Sequence, residues 1–269
     1  MTKMLIFFVL FLLLLSCSQV ADKKVVYNDL NKLSLQWFQQ AERQRLNHQF
    51  EKSLKSYDKA YKFSLLRNNL ETQLFSLMRQ ALVYSKLNNQ KISSDLLIQA
   101  NNLITVEFNS HIQTYNLMKA RVLANLGKKA EAKNLLFKYK MNFEEKEKEK
   151  EIYINWFEYE LSKYPKPGVS LSDDFNLLLN AYQCDSLNNL EVLTYVGMSY
   201  LYLLIQESSE KVIEVSTKLL DVFEEQELPA KIKEIYEYMA VYHRNINNIK
   251  TSNYYAKKAK KIGEVLDAY

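Results

Sequence analysis

The sequence predicts an all-α fold in which a pair of helices recurs about six times along the chain. Three observations predict it. Only 4 of the 269 residues are glycine and 3 are proline, whereas a sheet protein needs many of both for its turns. Hydrophobic residues make up 48%, enough for a sizeable core and too many for a chain dominated by disorder. Small residues recur in helix-compatible segments at steps of about 40 residues, the mark of a repeat architecture. The formal charge of +5, from 36 basic and 31 acidic residues, is mild and mixed along the chain. It predicts no nucleic-acid partner.

The chain opens MTKMLIFFVLFLLLLSCSQV. Lys3 precedes an apolar run from Met4 to Leu15, shorter than the about 20 residues of a spanning helix and suited to a signal-peptide core. The tetrad Leu14-Leu15-Ser16-Cys17 resembles the lipobox of bacterial lipoproteins. That resemblance implies a signal peptide over 1–16, cleavage before Cys17 and acylation of its sulfur and amino group. An ordinary secretory signal, or a short anchor in which Cys17 is incidental, is the alternative. Residues 17–32 then form the lipidated end and a short polar tether. The chain is expected to be exported and membrane-anchored. Ser18 rather than Asp after Cys17 points, by family analogy, to the periplasmic face of the outer membrane over the inner membrane. An acylated Cys17 leaves Cys184 as the one thiol, which excludes a disulfide framework or a cysteine zinc site within one chain.

The repeat comes next. One series of small residues is Ala41, Ala81, Ala120, Gly197 and Ala240, with Glu160 where a further member would fall. A second follows it by about 12 residues, at Ser53, Ser93, Ala132, Ser209 and Ser252, and a third by about 19, at Ala60, Ala100, Tyr139, Ser216 and Ala259. Helices cross closely only where side chains are small, so each triplet marks a packed pair. The pattern resembles the tetratricopeptide repeat (TPR). Trp37, Ala41, Phe50, Ser53, Tyr57 and Ala60 hold its large and small positions in the first copy, and Leu77, Ala81, Tyr84, Ser93, Leu97 and Ala100 in the second. Ala120, Leu123, Gly127, Ala132 and Leu136 match in the third, Leu193, Gly197, Tyr200, Ser209 and Ile213 in the fifth, and Tyr236, Ala240, Ser252, Ala256 and Ala259 in the last.

The resemblance implies a TPR-like right-handed α-solenoid of about six helix pairs, an α-α superhelix over residues 33–269, irregular at 141–185. In that stretch Trp156 takes a large position, and YPKPGVSLSDD inserts a non-helical turn. Asn142 with Glu145 reads as a capping box, and Glu144 with Lys148 as an i,i+4 pair. Gly127, in LANLGKKAEAKNLL, is expected at the turn of the third pair, where a positive φ costs glycine nothing.

No phosphate-loop, dinucleotide, zinc-protease or serine-nucleophile motif occurs in the sequence. His48, His111 and His243 lie in different repeats and read as turn or groove residues. Asp173 and Asp174 read as helix-start residues favoured by the dipole, Glu224 and Glu225 as a solvated loop. Cys184 reads as a small hydrophobe near a helix end. Lys257, Lys258, Lys260 and Lys261 complement the end of the last helix, with anionic lipid or an acidic partner as the alternative contact. The expectation is a chain that is not an enzyme and takes no cofactor and no metal.

The TPR resemblance places the functional surface on the first helix of each pair. It carries over to Phe38 and Glu42; Phe75, Met78 and Leu82; Leu117, Arg121 and Asn125; and Thr194, Met198 and Tyr202. Such a face suits an amphipathic helix or extended segment of a partner. The alternative is that longer helices rotate these positions into the core. The expected function is a non-catalytic scaffold that binds another envelope protein. A ligand-handling or transporter-accessory protein, with Phe75, Met78, Leu117 and Met198 around a small hydrophobic molecule, is the second reading. A wall-degrading enzyme using Glu158, flanked by Trp156 and Phe157, is the third.

Overall fold

A computed structural model describes residues 30–104, 111–140, 148–162 and 170–268. Among these residues the chain forms twelve helices and no strand. They are α1 (30–46), α2 (Phe50–Leu65), α3 (Leu70–Lys86), α4 (Gln90–Leu103), α5 (Ile112–Asn125), α6 (Lys129–Lys140), α7 (Lys148–Ser162), α8 (Leu171–Gln183), α9 (Leu190–Gln206), α10 (Lys211–Glu225), α11 (Pro229–Asn245) and α12 (Ile249–Ala268). The all-α repeat fold expected from the sequence is the one observed, with successive helices packed on one another. Cys17, the Asn142/Glu145 box and the Tyr164–Gly168 turn lie outside the described residues. The chain divides into two compact units, Met1–Glu42 with Phe50–Ile112 and Arg43–Gln49 with Gln113–Tyr269.

In the first unit α2 packs on α3 and α3 on α4. Ala41, Tyr57 and Val83 are fully buried at one centre, with Phe38, Phe50 and Leu54 packed around them. Ala60, Ala81, Ala100, Ser53 and Ser93 are buried as the small-residue series requires. One pair shows why the spacing of twelve recurs. The Ser93 hydroxyl on α4 donates to the Ala81 carbonyl on α3 at 2.8 Å, a contact that any larger residue at either position would hold apart.

The second unit repeats the device. Ser252 on α12 donates to the Ala240 carbonyl on α11 at 2.8 Å. Its core runs from Leu117, Ala120, Ala132 and Leu136 through Ile152, Phe157 and Phe175 to Leu219, Phe223, Ile235 and Met239. A Cβ on Gly197 would sit 2.6 Å from Leu219 Cδ2 and 3.1 Å from Phe175 Cε2, so α9 crosses α8 and α10 at close range there.

The turns share one construction. His48, Asn68, Asn88, Gly127, Asp185, Ser208, Glu227 and Asn247 all have positive φ, from 52° to 78°. In each case the next amide bonds five residues back, as Asn89 N does to Tyr84 O at 2.8 Å and Lys128 N to Leu123 O at 2.9 Å. This is the Schellman stop, which satisfies orphan carbonyls at a helix end. Asn69, Asn89 and Asn248 do two jobs. Each amide closes one helix, and each side chain accepts from the third amide onward (Thr72, Ile92, Thr251) to start the next.

Several expectations change. Within the stretch 141–185 the described residues form α7 and α8, the two helices of the fourth pair. Ser170 caps α8 by accepting from Asp173 N at 3.2 Å, with Asp173 and Asp174 in the first turn as expected. Glu224 and Glu225 end α10 rather than lying in a loop, and Glu225 accepts from Tyr182 at 2.7 Å. Cys184 is at a helix end but exposed. His48 occupies a turn, whereas His243 is buried in α11 and stacks on Tyr255 with centroids 5.4 Å apart.

Candidate functional site

The fifth pair exposes the physical basis of the site. Its helix α9 reads LEVLTYVGMSYLYLLIQ and is buried on nearly every side. One stripe differs. Glu191, Tyr195, Ser199 and Tyr202 recur at steps of three and four, so they share a face. That face meets side chains from the first helix of other pairs: Trp156 and Glu160 on α7, and Tyr238 on α11. It also meets Arg121 on α5 and Arg45 near the end of α1.

The residues form two sets of contacts, one running from Arg45 through Tyr195 and Trp156 to Glu160 and the other between Tyr202 and Tyr238. Arg45 Nη1 donates to Glu191 Oε1 at 2.9 Å and to Tyr195 Oη at 3.4 Å. Both partners of that ion pair are buried, Arg45 at 1% exposure and Glu191 at 5%. The Tyr195 ring stacks on Trp156 with centroids 4.5 Å apart and planes 9° from parallel. The guanidinium of Arg121 lies 4.5 Å from the Trp156 centroid, 4.6 Å from that of Tyr195 and 5.3 Å from that of Phe157. Trp156 Nε1 donates to Ser199 Oγ at 2.9 Å, and Ser199 donates onward to Glu160 Oε1 at 3.2 Å. Tyr202 meets Tyr238, centroids 6.1 Å apart.

Electrostatics follows from this packing. Burial pushes the Tyr195 phenol up, and the Glu191 carboxylate adds to the effect. Burial opposes the charge of Arg121, but the Tyr153 and Tyr195 phenols and the Glu191 and Glu160 carboxylates outweigh it and hold its pKa above the ordinary value. A neighbouring network joins residues 43–49 to α11. Lys231 Nζ lies 3.3 Å from His48 Nε2 and donates to both Glu234 oxygens at 2.8 Å. Asn47 Oδ1 accepts from Ala230 N at 3.2 Å, and Asn47 Nδ2 donates to Glu227 O at 3.0 Å.

The positions carried over from the TPR resemblance divide accordingly. Arg121 and Tyr202 belong to the face, and Tyr202 is 48% exposed. Asn125 is exposed at the end of α5. Met78, Leu82, Leu117, Thr194 and Met198 are buried, so they pack and do not line an open surface. Phe38, Glu42 and Phe75 are half-buried. Phe38 meets Tyr57 edge-on at 5.6 Å, Glu42 accepts from Tyr57 and pairs with Arg79 at 3.1 Å, and Phe75 meets His111 at 5.7 Å. Glu158 is half-buried on α7, and its carbonyl accepts from Ser162 at 2.6 Å.

The fifth copy was offset by one helical turn. Ala81, Ala120 and Ala240 stand five residues before the ends of their helices at Lys86, Asn125 and Asn245. In α9 that place belongs to Leu201, because the helix runs on to Gln206. Ser209 therefore falls in the turn. Arg45, Glu191, Tyr195, Ser199 and Tyr238 were missed altogether, although the polar stripe in α9 could have been found by its spacing.

Among the described residues no group of histidine, cysteine, aspartate or glutamate has the placement of a metal site, and no helix is long and apolar enough to cross a membrane. No family model, curated protein or solved structure matches the chain.

Proposed function

We propose that this chain is a TPR-type lipoprotein, tethered through an acylated Cys17, that acts as a non-catalytic scaffold for another protein of the bacterial envelope. The observation that carries the reading is the face on α7, α9 and α11. Its Arg45, Glu191 and Trp156 are buried and fix the helices, while Glu160, Ser199 and Tyr238 are half-buried and Tyr202 half exposed at its open end, a rim from successive pairs that a repeat protein can present to a polypeptide. The lipobox-like tetrad supports the tether.

The test is affinity purification from gently solubilised native membranes, with mass spectrometry of the co-purifying proteins. The wild type is run beside Tyr202→Glu/Tyr238→Glu. A partner captured by the wild type and lost from the variant supports the scaffold; a wild type that brings down no protein refutes it. The tether is tested separately. Cys17→Ala is expected to be unprocessed and free of radiolabelled fatty acid, and labelling that survives the substitution overturns acylation at Cys17.

A further inference from the structure

The outer face of α12 carries a charge that the fold does not use. The helix packs on α11, and of its 20 residues only Ser252 and Ala259 are buried. Lys250, Tyr254, Lys257, Lys261 and Val265 follow one another at steps of three and four, so they stand on one face, with Lys258 beside them. The stripe runs about 22 Å along the helix. Lys250, Lys257 and Lys261 are exposed, and Tyr254 and Val265 are 55% and 53% exposed. Contacts with α11 brace its centre. The Lys258 ammonium lies 5.0 Å from the Tyr254 centroid and 4.9 Å from that of Tyr236 on α11. Tyr255 meets Tyr254 at 5.3 Å and stacks on Tyr236 at 5.9 Å.

No carboxylate answers this stripe. The acidic residues of α12 are Glu264 and Asp267. Glu264 turns to Lys260 on the flank at 3.8 Å, and Asp267 lies about 120° around the helix from Lys261. On α11, Lys233 passes close to Gly263 and is matched by Glu237 at 3.0 Å. Among the described residues, Lys250, Lys257 and Lys261 pair with no acid. Dipole complementarity does not account for them either. Lys250 sits in the first turn, where positive charge is disfavoured, and the last turn holds no basic residue.

We propose that this face of α12 lies against an anionic phospholipid surface. Lys250, Lys257, Lys258 and Lys261 meet the headgroup phosphates, with the Tyr254 ring and Val265 at the boundary of the acyl chains. Shape decides for a membrane over an acidic polypeptide. A peptide is taken up in a groove, a pocket or a sheet edge, and the outer side of one helix supplies none of these. A headgroup layer is laterally mobile and meets a convex basic stripe without a matching concavity. Lysine stems and tyrosine rings also bridge apolar and aqueous layers at such a surface. The proposal goes beyond the scaffold reading and needs neither the Tyr202 face nor acylation of Cys17.

The test is lysine footprinting of the full chain reconstituted on vesicles. Acetylation by an N-hydroxysuccinimide ester is followed residue by residue by mass spectrometry. Vesicles of phosphatidylcholine alone are compared with vesicles holding about 30% phosphatidylglycerol, whose surface is negative. Only floated vesicles are analysed, so every molecule scored is already at a membrane. Lys250, Lys257 and Lys261 are expected to react about threefold or more slowly on the anionic vesicles, and the difference to vanish in about 1 M salt. Exposed Lys133 on α6 supplies the reference rate. Lys257→Gln/Lys261→Gln should restore at least about half of the lost reactivity of Lys250, with thermal unfolding checking that the fold is kept. Unchanged rates on anionic vesicles, equal slowing of Lys133, or a folded variant whose Lys250 stays as protected would overturn the proposal. So would protection by a glutamate-rich peptide on neutral vesicles with none from the anionic lipid, which would assign the face to an acidic protein. The capture experiment with Tyr202→Glu/Tyr238→Glu tests the scaffold alone, since it leaves the α12 stripe untouched.

Discussion

At the residue scale, Gly127 and Ser208 occupy the same backbone position with φ of 78° and 52°. Glycine is at ease there; a residue with a Cβ is held in a conformation that costs it about 1–2 kcal/mol. Nothing lies within 4 Å of a Cβ built on Gly127, so Gly127→Ala should lower stability by about 1 kcal/mol through backbone conformation alone. Ser208→Gly should raise it by up to about 1 kcal/mol. Chemical denaturation of both variants checks the pair, and a neutral Gly127→Ala would show that the turn relaxes. Asn89→Ala removes the cap of α4 and should cost about 1 kcal/mol in the same assay. Gly127 was legible because glycine announces a positive φ. The turns at Asn68-Asn69, Asn88-Asn89 and Asn247-Asn248 were equally marked, since asparagine tolerates that region and also caps helices. One residue type there serves two consecutive helices, ending the first and capping the second.

At the scale of the element, α9 shows what periodicity can and cannot supply. Its burial on nearly all sides was readable from its composition, but a helix apolar on every face carries almost no phase information. A glycine then fixed the alignment, and Gly197 is small for another reason: it lets α9 cross the Phe175 and Leu219 side chains. Gly197→Leu should therefore destabilise the second unit strongly through overpacking, by about 1–3 kcal/mol or more. The polar stripe holds the second consequence. Removing one partner of the buried Arg45–Glu191 pair, as in Glu191→Gln, strands a charge and should cost about 3–5 kcal/mol, while Arg45→Met/Glu191→Met should recover most of the loss. A double-mutant cycle on denaturant midpoints measures this. Additive losses would show that the pair is not coupled. The pair was invisible in the sequence because its members lie 146 residues apart and neither sits in a motif.

For the whole molecule, the abundant tyrosines set a limit on alkaline conditions. Tyr115, Tyr159, Tyr182, Tyr195 and Tyr238 all have raised pKa values, with burial as the leading cause. In the unfolded chain a phenol ionises near about pH 10. Below that pH both states hold the proton and the fold keeps its full stability. As pH rises through and beyond it, the unfolded state loses the proton first and is favoured. The melting temperature should thus be flat up to about pH 9 and fall above pH 10, and Tyr195→Phe should reduce the slope of that fall. A melting temperature unchanged to high pH would contradict the burial of these phenols. The repeat fold was legible because small residues recur with it. The face that α5, α7, α9 and α11 build together was not, since it depends on how separate pairs meet, and no local window contains that information.

The placement of Arg45 also has a consequence in time. A ribosome makes this arginine 146 residues before the carboxylate that will neutralise it, and residues 50–112 belong to the other unit. The first unit can close on contacts made within its own stretch of chain. The second has to keep the 43–49 segment solvated until α9 exists, because a guanidinium is not desolvated without its counter-charge. Refolding should therefore show two rates, with the slower one reporting the moment when the earliest residues of the second unit meet some of its latest.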